Sequence, residues 1–225
     1  DPQFDPAQRL GRALRALVTG LEGSMIDLLS AEPAEYEDCP FDGLDLAGEE
    51  VRDKEFASCT FTGCSFLETR FTACRFVECA FVRCDLSLCR VTDSSFTDVT
   101  FAESRAIGVD WTEASWPALG LFQRIGFERC AVSHSTFDGL LLRGIKMVDC
   151  VAHDVDFAEA DLTEANFAGT DFKESRFLHT DLTRADFQGA TNYAIAPGLN
   201  VLSKTRFSLP EAMALLYGLD IILTE

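Results

Sequence analysis

Cys59 to Arg90 reads in blocks of five, CTFTG CSFLE TRFTA CRFVE CAFVR CDLSL CR. A large apolar residue recurs at Phe61, Phe66, Phe71, Phe76, Phe81 and Leu86, and a small residue stands two places before each. A period of five fits neither the 3.6 of a helix nor the 2 of a simple strand, so the stretch is an internal repeat.

Calling the large residue i, the register runs outward without a slip from Phe41 to Trp116, sixteen pentads. After a break it resumes from Phe127 to Phe187 for thirteen more, displaced by one residue. Sixteen of the 19 Phe fall at i, the exceptions being Phe4, Phe122 and Phe207. All nine cysteines (Cys39, Cys59, Cys64, Cys74, Cys79, Cys84, Cys89, Cys130 and Cys150) fall at i−2. That position reads as a small core slot, so reduced, buried thiols are expected rather than disulfides. His134, His153 and His179 lie at outward positions, so no metal site is expected.

Two inward residues per pentad, one large and one small, describe a chain that turns a corner every five residues and returns above itself after four pentads. The pattern resembles the pentapeptide-repeat family, best at Ala160-Asp161-Leu162-Thr163-Glu164, Ala165-Asn166-Phe167-Ala168-Gly169 and Ala185-Asp186-Phe187-Gln188-Gly189. The resemblance covers about residues 39–191 and implies an all-β fold, a right-handed quadrilateral β-helix. Seven coils at roughly 4.8 Å each would make a rod about 35 Å long.

Outside the repeat, residues 6–22 place Leu10, Leu14, Leu17 and Leu21 at helical spacing with Arg9, Arg12 and Arg15 elsewhere on the wheel. Two readings apply: a basic arm for a partner or membrane, or an appended segment, since Gly23-Ser24-Met25 looks like a cloning junction. Residues 1–38 are thus an extension, and residues 192–225 a C-terminal helix and dimerisation segment. Ser208-Leu209-Pro210-Glu211 reads as a capping box opening a helix Pro210 to Tyr217, with Gly218 as its stop. Leu209, Pro210, Met213, Leu216, Tyr217, Leu219, Ile221 and Leu223 exceed the apolar surface one cap needs and are the candidate dimer interface. Charges at the inward positions Glu49 and Lys54 predict a bulged or frayed first coil.

The net charge is −18, and residues 1–24 contribute none of it, because Asp1, Asp5 and Glu22 balance the three arginines. Direct binding to nucleic acid or an anionic membrane is therefore disfavoured, and a basic partner would be steered in. With no long apolar run and no signal peptide, the expected location is the cytoplasm. No cofactor is implied. Catalysis is not expected either, because Ser133, His134, His153 and Asp154 would project from a convex surface without a cleft.

Outward acidic residues (Asp85, Asp93, Asp98, Glu103, Asp110, Glu113, Asp156, Glu159, Asp161, Glu164, Asp171, Glu174 and Asp181) form a candidate acidic face with the charge sign and outline of duplex DNA. Asp or Asn at i−1 could instead serve the backbone at the corners. The insertion Pro117 to Gly126 breaks the register and offers Pro117, Leu119, Leu121, Phe122 and Arg124 as a contact loop, or as a linker packed on a kinked coil.

Within the family, Gly108-Val109-Asp110-Trp111, Trp116-Pro117, Gly144-Ile145-Lys146-Met147-Val148, Thr191-Asn192-Tyr193 and Arg206-Phe207-Ser208-Leu209-Pro210-Glu211-Ala212 resemble the topoisomerase-protecting branch, most of all its albicidin-resistance members. That resemblance implies a homodimer joined at its C-termini that binds DNA gyrase, with topoisomerase IV as a second candidate. It would protect the enzyme from a poison such as albicidin or a quinolone. A scaffold for an unrelated protein partner is the alternative.

Overall fold

A computed structural model describes residues 35–116, 125–219 and 221. The N-terminal extension to Ala34 and the expected helix over residues 6–22 lie outside these residues. The chain is a four-walled β-solenoid of about eight turns with one short C-terminal helix. At about 4.8 Å per coil the rod is roughly 40 Å long. The extra turn arises because the ladder begins before Cys39 and ends after Thr191: Glu35–Glu37 pairs with Glu55–Ala57, and Asp186–Phe187 with Arg206–Phe207. Phe207, an exception to the periodicity, therefore occupies an i position.

Each wall is a parallel stack, and each coil passes through all four. The first wall opens with Glu35–Glu37, Glu55–Ala57, Arg75–Val77 and Ser95–Thr97. The second is the longest sheet, running from Pro40–Asp42 through Thr60–Thr62, Ala80–Val82, Val99–Ala102 and Ile125–Glu128 to Lys146–Val148. Isolated bridges hold the third, Asp45 to Ser65 to Asp85 to Arg105 and onward to Thr191. The fourth opens with Glu50–Arg52 on Arg70–Thr72.

Along the first and second walls, in-register pairing sets aromatic rings of successive coils on one another. On the second wall Phe41, Phe61, Phe81, Phe101 and Phe127 stack with centroids 4.8, 4.6, 4.9 and 5.0 Å apart. Rings on adjacent walls meet edge-on, as Phe56 does Phe61 at 5.5 Å. Aromatic pairs in such geometries contribute about 0.5–1.5 kcal/mol beyond area burial, repeated along the rod.

The i−2 slot does more than fill space. Thiols of Cys64, Cys74 and Cys79 donate to the carbonyls of Phe41, Val51 and Phe56 in the preceding coil, each at 3.3 Å. Thr69 and Thr170 do the same to Leu46 and Met147, both at 2.6 Å. All nine cysteines are buried and form no disulfide, and burial pushes the Cys89 thiol up to about 12.

Corners are made at i+2, where the backbone is left-handed. Gly is not required there: Glu68, Glu78, Arg83 and Leu88 have φ of 56, 54, 53 and 57°. The cost of about 1–2 kcal/mol per such residue is offset by the ladder on both sides. At Gly108, φ +68°, a Cβ would lie 2.7 Å from Cδ2 of the exposed Leu88 side chain, which would have to turn aside.

The expected fraying of the first coil is not found. Glu50–Arg52 and Glu55–Ala57 are in register with the next coil. Glu49 is exposed at the end of the rod, while Lys54, 9% exposed, buries its stem at the inward position. The capping box is also corrected. Ser208 Oγ accepts from Gly189 N at 2.9 Å and Glu211 Oε1 from Asn192 N at 2.7 Å, so both side chains serve the preceding coil. The helix begins as a 3-10 turn, Glu211–Met213, and continues as Ala214–Tyr217 with Gly218 as its C-cap.

Phe81→Ala removes a ring stacked on both sides and should lower the unfolding free energy by about 3–5 kcal/mol in a denaturant titration.

Candidate protein-binding surface

The thirteen candidate carboxylates fall into two chemically different sets. Asp85, Asp110, Asp156, Asp161, Asp171 and Asp181 sit at i−1, and each accepts a hydrogen bond from the amide two residues on at 2.9–3.1 Å. Asp45, Asn166 and Asp186 do likewise. These are Asx turns, in which the side chain satisfies a corner amide that the ladder leaves unpaired. The second oxygen is often engaged as well, by Arg105 at 3.9 Å for Asp85, Arg176 at 3.3 Å for Asp156 and Arg143 at 3.3 Å for Asp161. Partial burial raises the Asp171 pKa, but Asn192 at 2.7 Å and His153 at 2.8 Å outweigh it and hold the carboxyl below its usual range.

Asp93, Asp98, Glu103, Glu159, Glu164 and Glu174 occupy left-handed i+2 corners, with φ between 51 and 63°. Their side chains point away from the rod and serve no turn. Glu103 pairs with Arg129, Glu164 with Arg184 and Glu174 with Lys173, while among the described residues Asp93, Asp98 and Glu159 form no ion pair. Glu113 ends a single 3-10 turn, Trp111–Glu113. Arg90 at 2.9 Å, aided by Thr92, holds its carboxyl below the ordinary value.

These carboxylates surround the rod rather than occupy one face. Asp93, Glu113 and Glu159 share the corner between the fourth and first walls, and Asp161 stacks on Asp181 in the first wall beside it. Asp98 and Glu164 lie at the next corner, between the first and second walls. Glu103 and Glu174 lie at the two remaining corners.

Sequence reasoning missed Asp53, Glu55 and Asp138, which extend the acidic strip between the fourth and first walls. Reading the chain at intervals of twenty, with the insertion discounted, would have found Asp53 below Asp93. The fourth wall behind that strip carries Arg52, Arg70 and Arg90 in successive coils.

The insertion enters between Trp116 on the first wall and Ile125 on the second, and pairing shifts there from twenty residues to twenty-six, as in Phe101 with Phe127. Pro117, Leu119, Leu121, Phe122 and Arg124 lie outside the described residues. The segment is shorter than expected, because Ile125 and Gly126 belong to the strand Ile125–Glu128 and Ile125 is buried. At its base Trp116 Nε1 donates to the Trp111 carbonyl at 2.7 Å. The Trp111 indole N–H is buried without an acceptor among the described residues.

At the C-terminal end Leu209, Met213, Tyr217, Leu219 and Ile221 are exposed, as is Pro210, while Leu216 is half-buried. Leu223 lies outside the described residues. Among the described residues no three His, Cys, Asp or Glu side chains are grouped as a metal site, and no helix is long and apolar enough to cross a membrane.

The periodicity and the four-walled stack agree with two family models, a pentapeptide repeat region matching residues 54–121 and pentapeptide repeats (8 copies) matching residues 153–189. Both of these segments of the chain are built of pentapeptide repeats. A trypsin-treated structure of a variant of QnrB1, a plasmid-mediated fluoroquinolone resistance protein, superposes with a TM-score of 0.57 at 18% identity, over 84% of this chain and 97% of that one. A second QnrB1 variant gives 0.50 at 19% identity, over 84% and 97%. At that identity the likeness shows the fold. No curated protein matches the chain.

The two carboxylate sets should separate on mutation. Asp161→Ala loses the turn acceptor and should cost about 1 kcal/mol of stability. Glu159→Lys should stay within roughly 0.5 kcal/mol of the parent in the same denaturant titration.

Proposed function

We propose that this pentapeptide-repeat protein binds DNA gyrase where DNA would lie and protects it from a poison of the cleaved complex, such as albicidin or a quinolone, with topoisomerase IV as a second target. The observation that carries this reading is a rod of the QnrB1 fold in a chain whose residues 35–225 carry 32 acidic against 16 basic side chains, a net −16. Corner carboxylates without partners are available to a basic channel, whose field would speed encounter at low salt. The C-terminal strings shared with the topoisomerase-protecting branch support it further.

The first wall is the favoured contact. It is flanked on one side by the strip of Asp53, Asp93, Glu113 and Glu159, and on the other by the corner from which the insertion leaves. A partner seated on that wall would meet both features at once. The test is a gyrase supercoiling assay with a poison, in which the protein restores supercoiling. Asp93→Lys, Asp98→Lys and Glu159→Lys combined should weaken gyrase binding on the order of tenfold or more at low salt. Glu68→Lys with Glu174→Lys, at the corner between the third and fourth walls, should leave binding largely intact. No rescue and no gyrase binding by the parent protein would sink the reading.

The Asx turns favour the alternative for part of the charge, since six of the thirteen carboxylates already serve the backbone. As a scaffold for an unrelated partner, the rod would tolerate the triple charge reversal without loss of binding.

We also propose a homodimer through the C-terminal end. Leu209, Met213 and Tyr217 expose 78, 45 and 77% of their surface at an end with unpaired strand edges. Met213→Asp with Tyr217→Asp should convert a dimer to a monomer in sedimentation, and an unchanged dimer would place the interface elsewhere.

A further inference from the structure

The corner between the third and fourth walls carries a patch unlike the rest of this acidic rod. Among the described residues ahead of Leu199, the large apolar side chains that stay exposed are Leu67, Leu88, Leu141 and Val151. Leu141 and Val151 stand apart on the first and third walls, whereas Leu67 and Leu88 occupy this corner in successive coils. Leu67, Ser87 and Ile107 form one column of it, aligned by bonds from Glu68 N to the Ser87 carbonyl and from Leu88 N to the Ile107 carbonyl, at 2.9 and 2.7 Å. Ser87 is 6% exposed and its hydroxyl has no hydrogen-bond partner among the described residues, so it offers water little to bind. Leu88 leans over the next coil, where it fills the space a Gly108 Cβ would take. The result is a continuous apolar ridge from Leu67 to Ile107. Other left-handed corners carry Asp, Arg or Gly, yet at this one Leu88 stands with φ 57° and 53% of its surface exposed.

Beside the ridge the charge reverses. Outward positions of the fourth wall in its first three coils hold Arg52, Arg70 and Arg90 against Glu50 alone. Arg70 and Arg90 lie directly opposite each other across the ladder, an unfavourable arrangement for like charges. Arg52 pairs with Glu50 and Arg90 with Glu113, but among the described residues Arg70 forms no ion pair. Between the ridge and the arginines run the inward residues Thr69, Cys89 and Val109, at most 3% exposed, which leave a shallow furrow along the rod.

We propose that this furrow receives an acidic amphipathic helix of a partner protein, lying along the rod with its apolar stripe on the ridge and a row of carboxylates on Arg70 and Arg90. Spacing selects a helix. One helical turn advances about 5.4 Å and one coil about 4.8 Å, so side chains a turn apart stay within about 1.2 Å of register across three coils. Alternate residues of an extended strand, about 6.7 Å apart, lose that register at the first step. Charge selects the acidic kind. A second copy offers no acidic helix of that length among its described residues. An anionic membrane or a nucleic acid would meet the net −16 of residues 35–225 as well as the arginines. The furrow lies diagonally across the rod from the corner where the insertion leaves, and its assignment does not rest on the gyrase reading.

The test uses the full-length protein and a fluorescent synthetic helix of about five turns, with leucines along one stripe and glutamates beside them, followed by anisotropy. The parent should bind this peptide, more tightly at low salt than at high. Leu88→Asp and Arg70→Glu, both at exposed outward positions, should each weaken binding on the order of tenfold or more, with the denaturant midpoint unchanged. Glu68→Lys, which removes the one carboxylate from the ridge, should strengthen it. The proposal is overturned if the parent does not bind, if a peptide with lysine in place of glutamate binds as well, or if both weakening variants bind like the parent. It is equally overturned if phosphatidylglycerol vesicles bind the parent and lose affinity in the same two variants, since a lipid surface would then be the occupant.

Discussion

Everything in this molecule depends on in-register stacking of one coil on the next. A single coil has no interior of its own: its four large side chains point at an axis with nothing to cover them until another coil arrives. The parallel ladder fixes the register, and the register sets Phe on Phe along the second wall. From the same alignment follow the i−2 thiols and hydroxyls, which reach the carbonyl of the previous coil only because that carbonyl lies at a fixed offset of 23 residues. The left-handed corners persist for the same reason, since a ladder on either side holds each one.

That constraint also divides the surface charge. A carboxylate at i−1 lies close to the corner it must satisfy and works as part of the backbone. At i+2 a carboxylate is carried outward, where the fold makes no demand on its chemistry. The outward corner positions accept Asp93, Leu88, Arg83 and Gly63 alike, so charge there can change without disturbing the stack. Two residues of identical chemistry, Asp161 and Asp93, therefore have different work to do, and only the second is free for a partner.

The pentad period, the inward slots and the reduced cysteines were legible in the sequence because one residue type repeats at one spacing. The first coil keeps its register despite charges at Glu49 and Lys54 because both stand at the end of the stack. At the end of a stack a charge can turn out or lay its stem along the core. The capping box failed for a related reason. Ser208 and Glu211 have the local spacing of a helix cap, but the amides of Gly189 and Asn192 needed acceptors, and a tertiary partner took them. Which carboxylates share a corner was hidden because a corner recurs every twenty residues, and the insertion shifts that count by six.

The insertion shows how such a rod can lengthen at one point without losing its fold. Because each coil contacts only its neighbours, six additional residues at one corner need closure of one loop, an entropy that grows slowly with length. Pairing resumes at once on the other walls, Arg105 on Ala131 and Asp110 on Thr136. A corner is thus where the chain can lengthen at least cost, and where carboxylates already stand free of the backbone. The acidic strip and the corner between Trp116 and Ile125 lie at opposite edges of the same wall. The stack beneath keeps the strip and the residues that flank the insertion, Trp116 and Ile125, a fixed distance apart.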